Sequence, residues 1–209
     1  MLENIISVIS SSHITVLTLG YFLGSIPFGI VITRYAGLGD IRKIGSGNLG
    51  ATNVLRTGRK KLALLTLLLD AGKGGLAIVI VHYFFYDSGK ESELSIFAGM
   101  AAVIGHNFPV WMRFQGGKGV ATTLGILLVI AWPVGLATCI TWVIVAAISR
   151  YSSLSAIISL IASPFYALYL DREGVFVLAS FLAILVIVRH HENIRKLITG
   201  REQKIGATK

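Results

Sequence analysis

Three stretches of this sequence combine glycines, short polar side chains and cations, the residue types that hold phosphate. In the first, Gly45–Asn53 reads GSGNLGATN, with Arg56 just beyond. Gly45, Gly47 and Gly50 free the backbone for positive φ, so successive N–H groups can converge on a concavity that suits an anion. Ser46, Asn48, Thr52 and Asn53 add short donors. Arg56 adds a permanent charge whose planar fork matches phosphate oxygens. In the second, Gly105–Ala121 reads GHNFPVWMRFQGGKGVA. Gly116, Gly117 and Gly119 surround Lys118 and permit close backbone approach to a ligand, and His106 lies at the same edge. The third is RHHENI, Arg189–Ile194. His190 and Asn193 share a face if the helix continues through it. They can then hydrogen-bond a phosphate or a nucleophilic hydroxyl, or simply cap the helix end. Asp70 and Lys73, in DAGKG, lie deep in an apolar run, where each charge costs about 2.5–3.5 kcal/mol. Function, or mutual pairing at their i,i+3 spacing, accounts for them.

Several neighbouring patterns lead nowhere. Gly45, Gly47 and Gly50 satisfy G-x-G-x-x-G, but that fingerprint needs a strand before it and a helix after it in a βαβ unit, and its flanks here are apolar spans. Gly116–Gly119 is not a P-loop, because no Ser or Thr follows Lys118. The adjacent His190 and His191 point to different helix faces and do not address one metal. His82 and Asp87 have the H-x-x-x-x-D spacing of a His/Asp acyltransferase pair, yet fall at the far end of their helix from every cationic cluster. Cys139, the single cysteine, excludes an intrachain disulfide and a cysteine-based metal cluster.

The elements that must position these clusters are apolar. The 209 residues are 54% hydrophobic and only 14% charged, with a mean hydropathy of +0.75. Soluble domains carry about 25% charged residues, so soluble and disordered classes are excluded. Apolar runs predict helices over Ile14–Tyr35, Leu62–Tyr86, Leu94–Met112, Val120–Ala131, Val134–Ser149, Ser152–Leu170 and Val175–Val188. The fourth and fifth are short and separated only by Trp132-Pro133, as a hairpin or re-entrant feature would be. The expected fold is therefore all-α: a polytopic membrane helix bundle of about seven transmembrane helices, one integral-membrane domain over 1–209. The joint 36–61 is too long for a plain connection and reads as a functional loop. No basic region precedes the first apolar segment, so it reads as a retained helix rather than a cleaved signal.

The net charge of +9 reads as topology, not as nucleic-acid binding. With the N-terminus outside, sixteen of the nineteen Lys and Arg fall on the inner side. Only Lys90 and Arg172 fall outside, and Lys73 lies within a span. That orientation leaves about twelve N-terminal residues outside and a cytoplasmic tail from about residue 189. It places all three cationic clusters on the cytoplasmic face.

The strings GSIPFG (Gly24–Gly29), GSGNLGATNVLR (Gly45–Arg56), DAGKG (Asp70–Gly74), GHNFPVWMRFQGGKGVAT (Gly105–Thr122) and RHHENI (Arg189–Ile194) resemble, in order and spacing, the bacterial acyl-phosphate:glycerol-3-phosphate acyltransferase family. The resemblance runs from about Gly20 to Gly206; Gln115 stands where that family commonly carries lysine. It implies an enzyme of the cytoplasmic (inner) membrane that moves a fatty acyl group from acyl phosphate to the sn-1 hydroxyl of glycerol 3-phosphate. The products are lysophosphatidic acid and inorganic phosphate, the first step of phospholipid synthesis. No cofactor and no metal are implied. Carried onto matching positions, Ser46 and the surrounding glycine amides hold the acyl phosphate. Arg56 and Lys118 neutralise phosphate charge, while His190 and Asn193 orient substrate. Gly45, Gly47, Asn48, Gly50, Thr52, Asn53, Lys73, His106, Gly116, Gly117 and Gly119 complete the expected substrate-binding set. The implied partners are the two substrates, membrane lipids and the soluble enzyme that makes acyl phosphate.

The residues agree with such a reaction. A chain of about 15 CH₂ groups gains roughly 12 kcal/mol by staying in lipid, at ~0.8 kcal/mol each, while glycerol 3-phosphate stays in water. Their meeting place is the interface, and two phosphates held close together require a surplus of cations. A transporter for an organic phosphate is the main rival, but it needs polar groups along a path through the bilayer, and only Asp70 and Lys73 lie deep. An enzyme exchanging phosphate-linked groups between lipids needs a metal-binding carboxylate cluster, and the inner joints offer only the dispersed Asp40, Glu192 and Glu202.

Overall fold

The apolar runs are built of helices in the computed structural model, which describes residues 11–86 and 91–206. Among the described residues the α-helices are α1 (Ser11–Gly24), α2 (Phe28–Tyr35), α3 (Ala51–Leu55), α4 (Lys60–Phe85), α5 (Glu91–Asn107), α6 (Val120–Ile130), α7 (Trp132–Ser149), α8 (Ser152–Tyr169), α9 (Glu173–Arg189) and α10 (His191–Ile198). Among the described residues there is no strand. The first ten residues, most of the expected outer N-terminal segment, lie outside the described residues, as does Asp87 of the His82/Asp87 spacing.

Among the described residues, five segments are long and apolar enough to cross a membrane: Ser11–Tyr35, Lys60–Phe85, Ser92–Met112, Trp132–Ser149 and Ser152–Tyr169. α9 with α10 would make a sixth, although the two are bent by 61° at His190. α6, with only 11 residues, is a shorter apolar helix than these spans. It rises about 16 Å at 1.5 Å per residue, against a hydrocarbon core of about 30 Å. α6 stops at Ala131 (φ −152°) because Pro133 occupies the first turn of α7, where a missing N–H does no harm.

Small residues set the packing. A Cβ on Gly20 or Gly24 of α1 would run into the backbone of Ala98 or Ala102 of α5, and one on Gly125 of α6 would meet Ala71 of α4. Lipid tails are as apolar as leucine, so membrane helices associate largely through close van der Waals packing, which small residues permit by letting backbones approach. Where α4, α5, α6 and α9 cross, Ile78, Val103, Ile126, Leu178 and Leu182 are buried together.

The first span is not the continuous helix that the sequence predicts. It breaks between Gly24 and Phe28, where Pro27 lacks an N–H and its ring disfavours a continuous helix. The carbonyls freed by the break find partners from other elements. Trp111 Nε1 donates to Ser25 O (2.7 Å), and Lys73 Nζ donates to Ile26 O (2.8 Å) and to Asp70 Oδ1 (2.7 Å). Asp70 is 2% exposed and Lys73 4%, so the pairing alternative holds for these two charges. Removing one partner of a buried pair strands the other at a cost of about 3–5 kcal/mol. Lys73→Ala should therefore melt well below wild type in detergent. Lys73→Ala with Asp70→Asn should recover part of the loss. A Lys73→Ala protein that melts at the wild-type temperature would contradict this role.

Candidate active site

The loop before α3 is organised around one side chain. Asn53 Nδ2 lies 2.9–3.0 Å from the carbonyls of Ile41, Ile44 and Asn48 and shares its two protons among them, while Asn53 Oδ1 accepts from Ser46 N (2.9 Å). Gly45 (φ +58°) lies beneath this staple: a Cβ there would meet Asn53 Oδ1 and approach Arg56 Cδ to 2.9 Å. Arg56 is thereby laid across the loop. Two expectations change as a result. Asn53 is spent on the loop and is not a free donor to a ligand. The amide of Ser46 faces Asn53, and that of Gly47 donates to Ile44 O (3.0 Å), so Gly45–Gly47 form no open nest of amides. Their glycines shape the loop; Ser46, whose hydroxyl lies 3.3 Å from Asn53 Oδ1, lines the cavity with Asn48 and Thr52.

The loop before α6 is clamped from both sides. Gly116 N and Gly117 N donate to the carbonyls of Asn107 (3.1 Å) and His106 (3.0 Å) at the end of α5. The carbonyls of Gly116 and Gly117 accept from the Arg189 guanidinium at 3.0–3.2 Å, which lies over the Phe108 ring. A Cβ at Gly117 would strike the His106 ring, and Gly119, at φ +81°, packs against Val103 and Asn107. The one side chain this loop sends outward into polar company is Lys118, whose Nζ donates to Asn193 Oδ1. Burial pushes the Lys118 ammonium below the ordinary lysine range; the carboxylates of Glu202 and Glu192 oppose that, while Lys196 and Arg189 reinforce it. Burial likewise lowers Arg56, with Glu202 opposing.

The third cluster sits at the bend between α9 and α10. His190, 3% exposed, donates from Nδ1 to Val186 O (2.8 Å), which leaves Nε2 as the ring's remaining hydrogen-bonding atom. Asn193, in the first turn of α10, donates from Nδ2 to Glu202 Oε1 (2.7 Å). The bend keeps both residues on the same cavity, an outcome the sequence tied to a straight continuation of the helix.

All three clusters meet on one cavity of about 490 Å³. Its polar mouth carries Ser46, Asn48, Gly50, Thr52, Asn53, Arg56, Lys118, Gly119, His190 and Asn193, with His106 and Asp70 deeper. Thr52 Oγ1 lies 3.0 Å from Ser152 Oγ on α8. Its apolar flank is formed by Ala63, Leu64 and Leu67 of α4, Val120, Ala121 and Leu124 of α6, and Trp142 and Val143 of α7. Leu64, Leu67 and Val143 are also exposed on the outside of the bundle, so this flank communicates with the lipid-facing surface. A water-soluble phosphate and a fatty chain can thus reach the same space from opposite sides.

Five expected binding residues do not line the cavity: Gly45, Gly47, Gly116, Gly117 and Lys73. The four glycines support the side chains that do, and the Lys73 ammonium is already satisfied by Asp70 and Ile26. Gln115 is exposed and away from the lining. The sequence reading assigned no role to Arg189, Ser152, Ser153 or Glu202. Arg189, within RHHENI, reads in the sequence only as a topological charge. Glu202 reads only as a dispersed carboxylate, although an acid in a tail otherwise rich in cations is a signal. Among the described residues, no three of His, Cys, Asp and Glu gather as metal ligands would.

Known proteins similar to this chain share one family description. A family model described as glycerol-3-phosphate acyltransferase matches residues 14–200. A glycerol-3-phosphate acyltransferase of Paramagnetospirillum magneticum is 60% identical over 190 residues, covering 91% of this chain and 92% of the relative. That of Rhodospirillum rubrum is 55% identical over 193 residues, covering 91% and 89%. Among solved structures, the crystal structure of PlsY (YgiH), an integral membrane glycerol 3-phosphate acyltransferase, superposes in its glycerol 3-phosphate form with a TM-score of 0.86. It is 38% identical, and the match covers 94% of this chain and 96% of that one. Its lysophosphatidic acid form gives 0.84.

The clamp on the Lys118 loop generates a test that needs no substrate. Arg189→Lys replaces a planar fork by a single point charge and should loosen the loop while the helices stay packed. Amide exchange at Gly116 and Gly117 should speed up by about ten-fold, as expected for losing roughly 1.4 kcal/mol of local protection, with little change in melting temperature. Exchange at the wild-type rate would mean the guanidinium does not hold the loop.

Proposed function

The chain belongs to the glycerol-3-phosphate acyltransferase family, and we propose that its acyl donor is an acyl phosphate. The carbonyl of that donor is attacked by the sn-1 hydroxyl of glycerol 3-phosphate, giving lysophosphatidic acid and inorganic phosphate. The carrying observation is the composition of the cavity: Arg56 and Lys118 on one polar mouth, joined to an apolar flank that reaches the lipid-facing surface. Two cations suit a site that must hold two phosphates at once, one on each substrate. A thioester donor would bring no phosphate to the reacting carbonyl.

On this reading Ser46, Asn48 and Thr52 donate to phosphate oxygens from the loop and α3, while Arg56 and Lys118 offset the charge. His190 and Asn193 orient the acceptor from the bend. Catalysis is mostly positioning and charge stabilisation, because phosphate is a good leaving group and the donor arrives activated. The proton of the attacking hydroxyl goes to a phosphate oxygen of the substrates. Of the two carboxylates on the cavity, Asp70 is bound to Lys73 and Glu202 accepts from Asn193 and Ser153. The sixteen basic residues assigned to one side of the membrane argue that this face is cytoplasmic and that the membrane is the bacterial inner membrane. The same face can then receive acyl phosphate from the soluble enzyme that makes it.

The deciding assay offers purified protein glycerol 3-phosphate with palmitoyl phosphate, palmitoyl-CoA or palmitoyl-acyl carrier protein, without added metal and with a chelator present. Phosphate release and lysophosphatidate formation from palmitoyl phosphate alone is the expected result. Turnover with a thioester instead would overturn the donor assignment. His190→Ala should retain at least about 1% of wild-type kcat, since positioned general bases contribute about 10²–10⁴-fold. Complete loss with glycerol 3-phosphate binding intact would make His190 the base.

A further inference from the structure

The polar mouth of the cavity contains one carboxylate that the reaction above does not use. We infer that Glu202 is a positioning residue: its carboxylate sets the orientation of the Asn193 amide, and through that amide it holds the Lys118 ammonium at the mouth.

The argument begins with the two ends of an amide. Asn193 Nδ2 donates to Glu202 Oε1 at 2.7 Å, and Asn193 Oδ1 accepts from Lys118 Nζ. A flipped amide would set its NH₂ group against the ammonium and its oxygen against the carboxylate, so both contacts would turn repulsive. Glu202 therefore decides which end of Asn193 faces Lys118. The carboxylate is aimed in turn by Ser153, whose hydroxyl donates to the same Oε1 at 2.7 Å. Glu192, Arg189 and Lys196 also act on Lys118, but among the described residues the hydrogen bonds of the Asn193 amide go to Lys118 and Glu202.

The chain around Glu202 is tied down on both sides. After α10 the backbone turns through Gly200 (φ +65°), and the amides of Arg201 and Glu202 donate to Lys196 O at 2.8 and 3.1 Å. Beyond it, Ile205 N donates to Arg150 O (2.6 Å), and Arg150 Nη2 donates to Ile205 O (3.2 Å). The Lys204 ammonium lies over the Tyr151 ring. The tail is thus a strap across the junction of α7 and α8, and Glu202 is the side chain it delivers to the cavity.

This inference rests on the cavity being the acceptor site, and it is independent of the donor. The test measures glycerol 3-phosphate binding calorimetrically, and acyl transfer kinetically, for Glu202→Ala, Glu202→Gln, Asn193→Ala and the Glu202→Ala/Asn193→Ala double variant. Glu202→Ala should lower affinity and kcat/KM by about ten-fold or more, the loss expected for a hydrogen bond to a charged group. Glu202→Gln keeps an acceptor oxygen for Asn193 and Ser153 and should stay within about three-fold of wild type. The double variant should be no worse than Asn193→Ala alone, because the two residues act as one chain. Additive losses, or a Glu202→Ala protein that binds like wild type, would overturn the inference. Equal losses in the Gln and Ala variants would also overturn it. If wild type binds glycerol 3-phosphate but does not use acyl phosphate, the donor assignment fails and the binding cycle still decides Glu202. Absence of binding by wild type would overturn both.

Discussion

An ammonium inside a membrane protein needs its counter-charge within reach, because neither water nor lipid will supply one. Lys73 meets that demand with Asp70, one helical turn away, and with the carbonyl of Ile26, freed where Pro27 breaks the first span. The polar architecture builds outward from this pair. Lys73 fixes where α2 starts, and Gly29 on α2 then lies against the backbone of Leu49. That contact seats the loop carrying Ser46 and Arg56. On the other side, His106 Nδ1 lies 3.8 Å from Asp70 Oδ1, and the His106 ring abuts Gly117, next to Lys118. Two loops distant in sequence are thus referred to one buried pair of charges.

Above that foundation, side chains that look like ligands for phosphate serve two distinct tasks. Asn53 and Arg189 are spent on backbone carbonyls and amides, and they give the loops their shape. Arg56, Lys118 and Asn193 remain on the cavity. The division follows from the solvent. A buried loop cannot leave its carbonyls to water, so polar side chains must satisfy them first. Only what is left over can address a substrate. A glycine-rich basic motif in a membrane protein therefore contains more scaffold than its composition suggests.

Much of this was legible in the residues. The apolar runs located every long helix, and the three cationic clusters were placed on one face by charge asymmetry alone; the structure brings them to one cavity. The i,i+3 spacing of Asp70 and Lys73 announced their pairing. What stayed hidden depended on tertiary partners. Nothing local in GSGNLGATN says that Asn53 turns back on three carbonyls, since any of its donors could have faced a ligand. The break at Pro27 is a visible signal, yet hydropathy averages over it, and its meaning comes from Trp111 and Lys73 on other elements. The bend at His190 has no proline or glycine to mark it, and Glu202 reaches the site only through a turn beyond α10.

The apolar flank of the cavity, with Leu64, Leu67 and Val143 exposed toward the surrounding lipid, changes how concentration is counted. A substrate that arrives sideways from the bilayer is met at a density per unit of membrane area, so the relevant scale is its mole fraction among lipids, not its molarity in water. The water-soluble partner still arrives in three dimensions. Diluting the membrane with inert lipid would slow one encounter and leave the other untouched, and a product that keeps its fatty chain can leave along the same lateral path without crossing water.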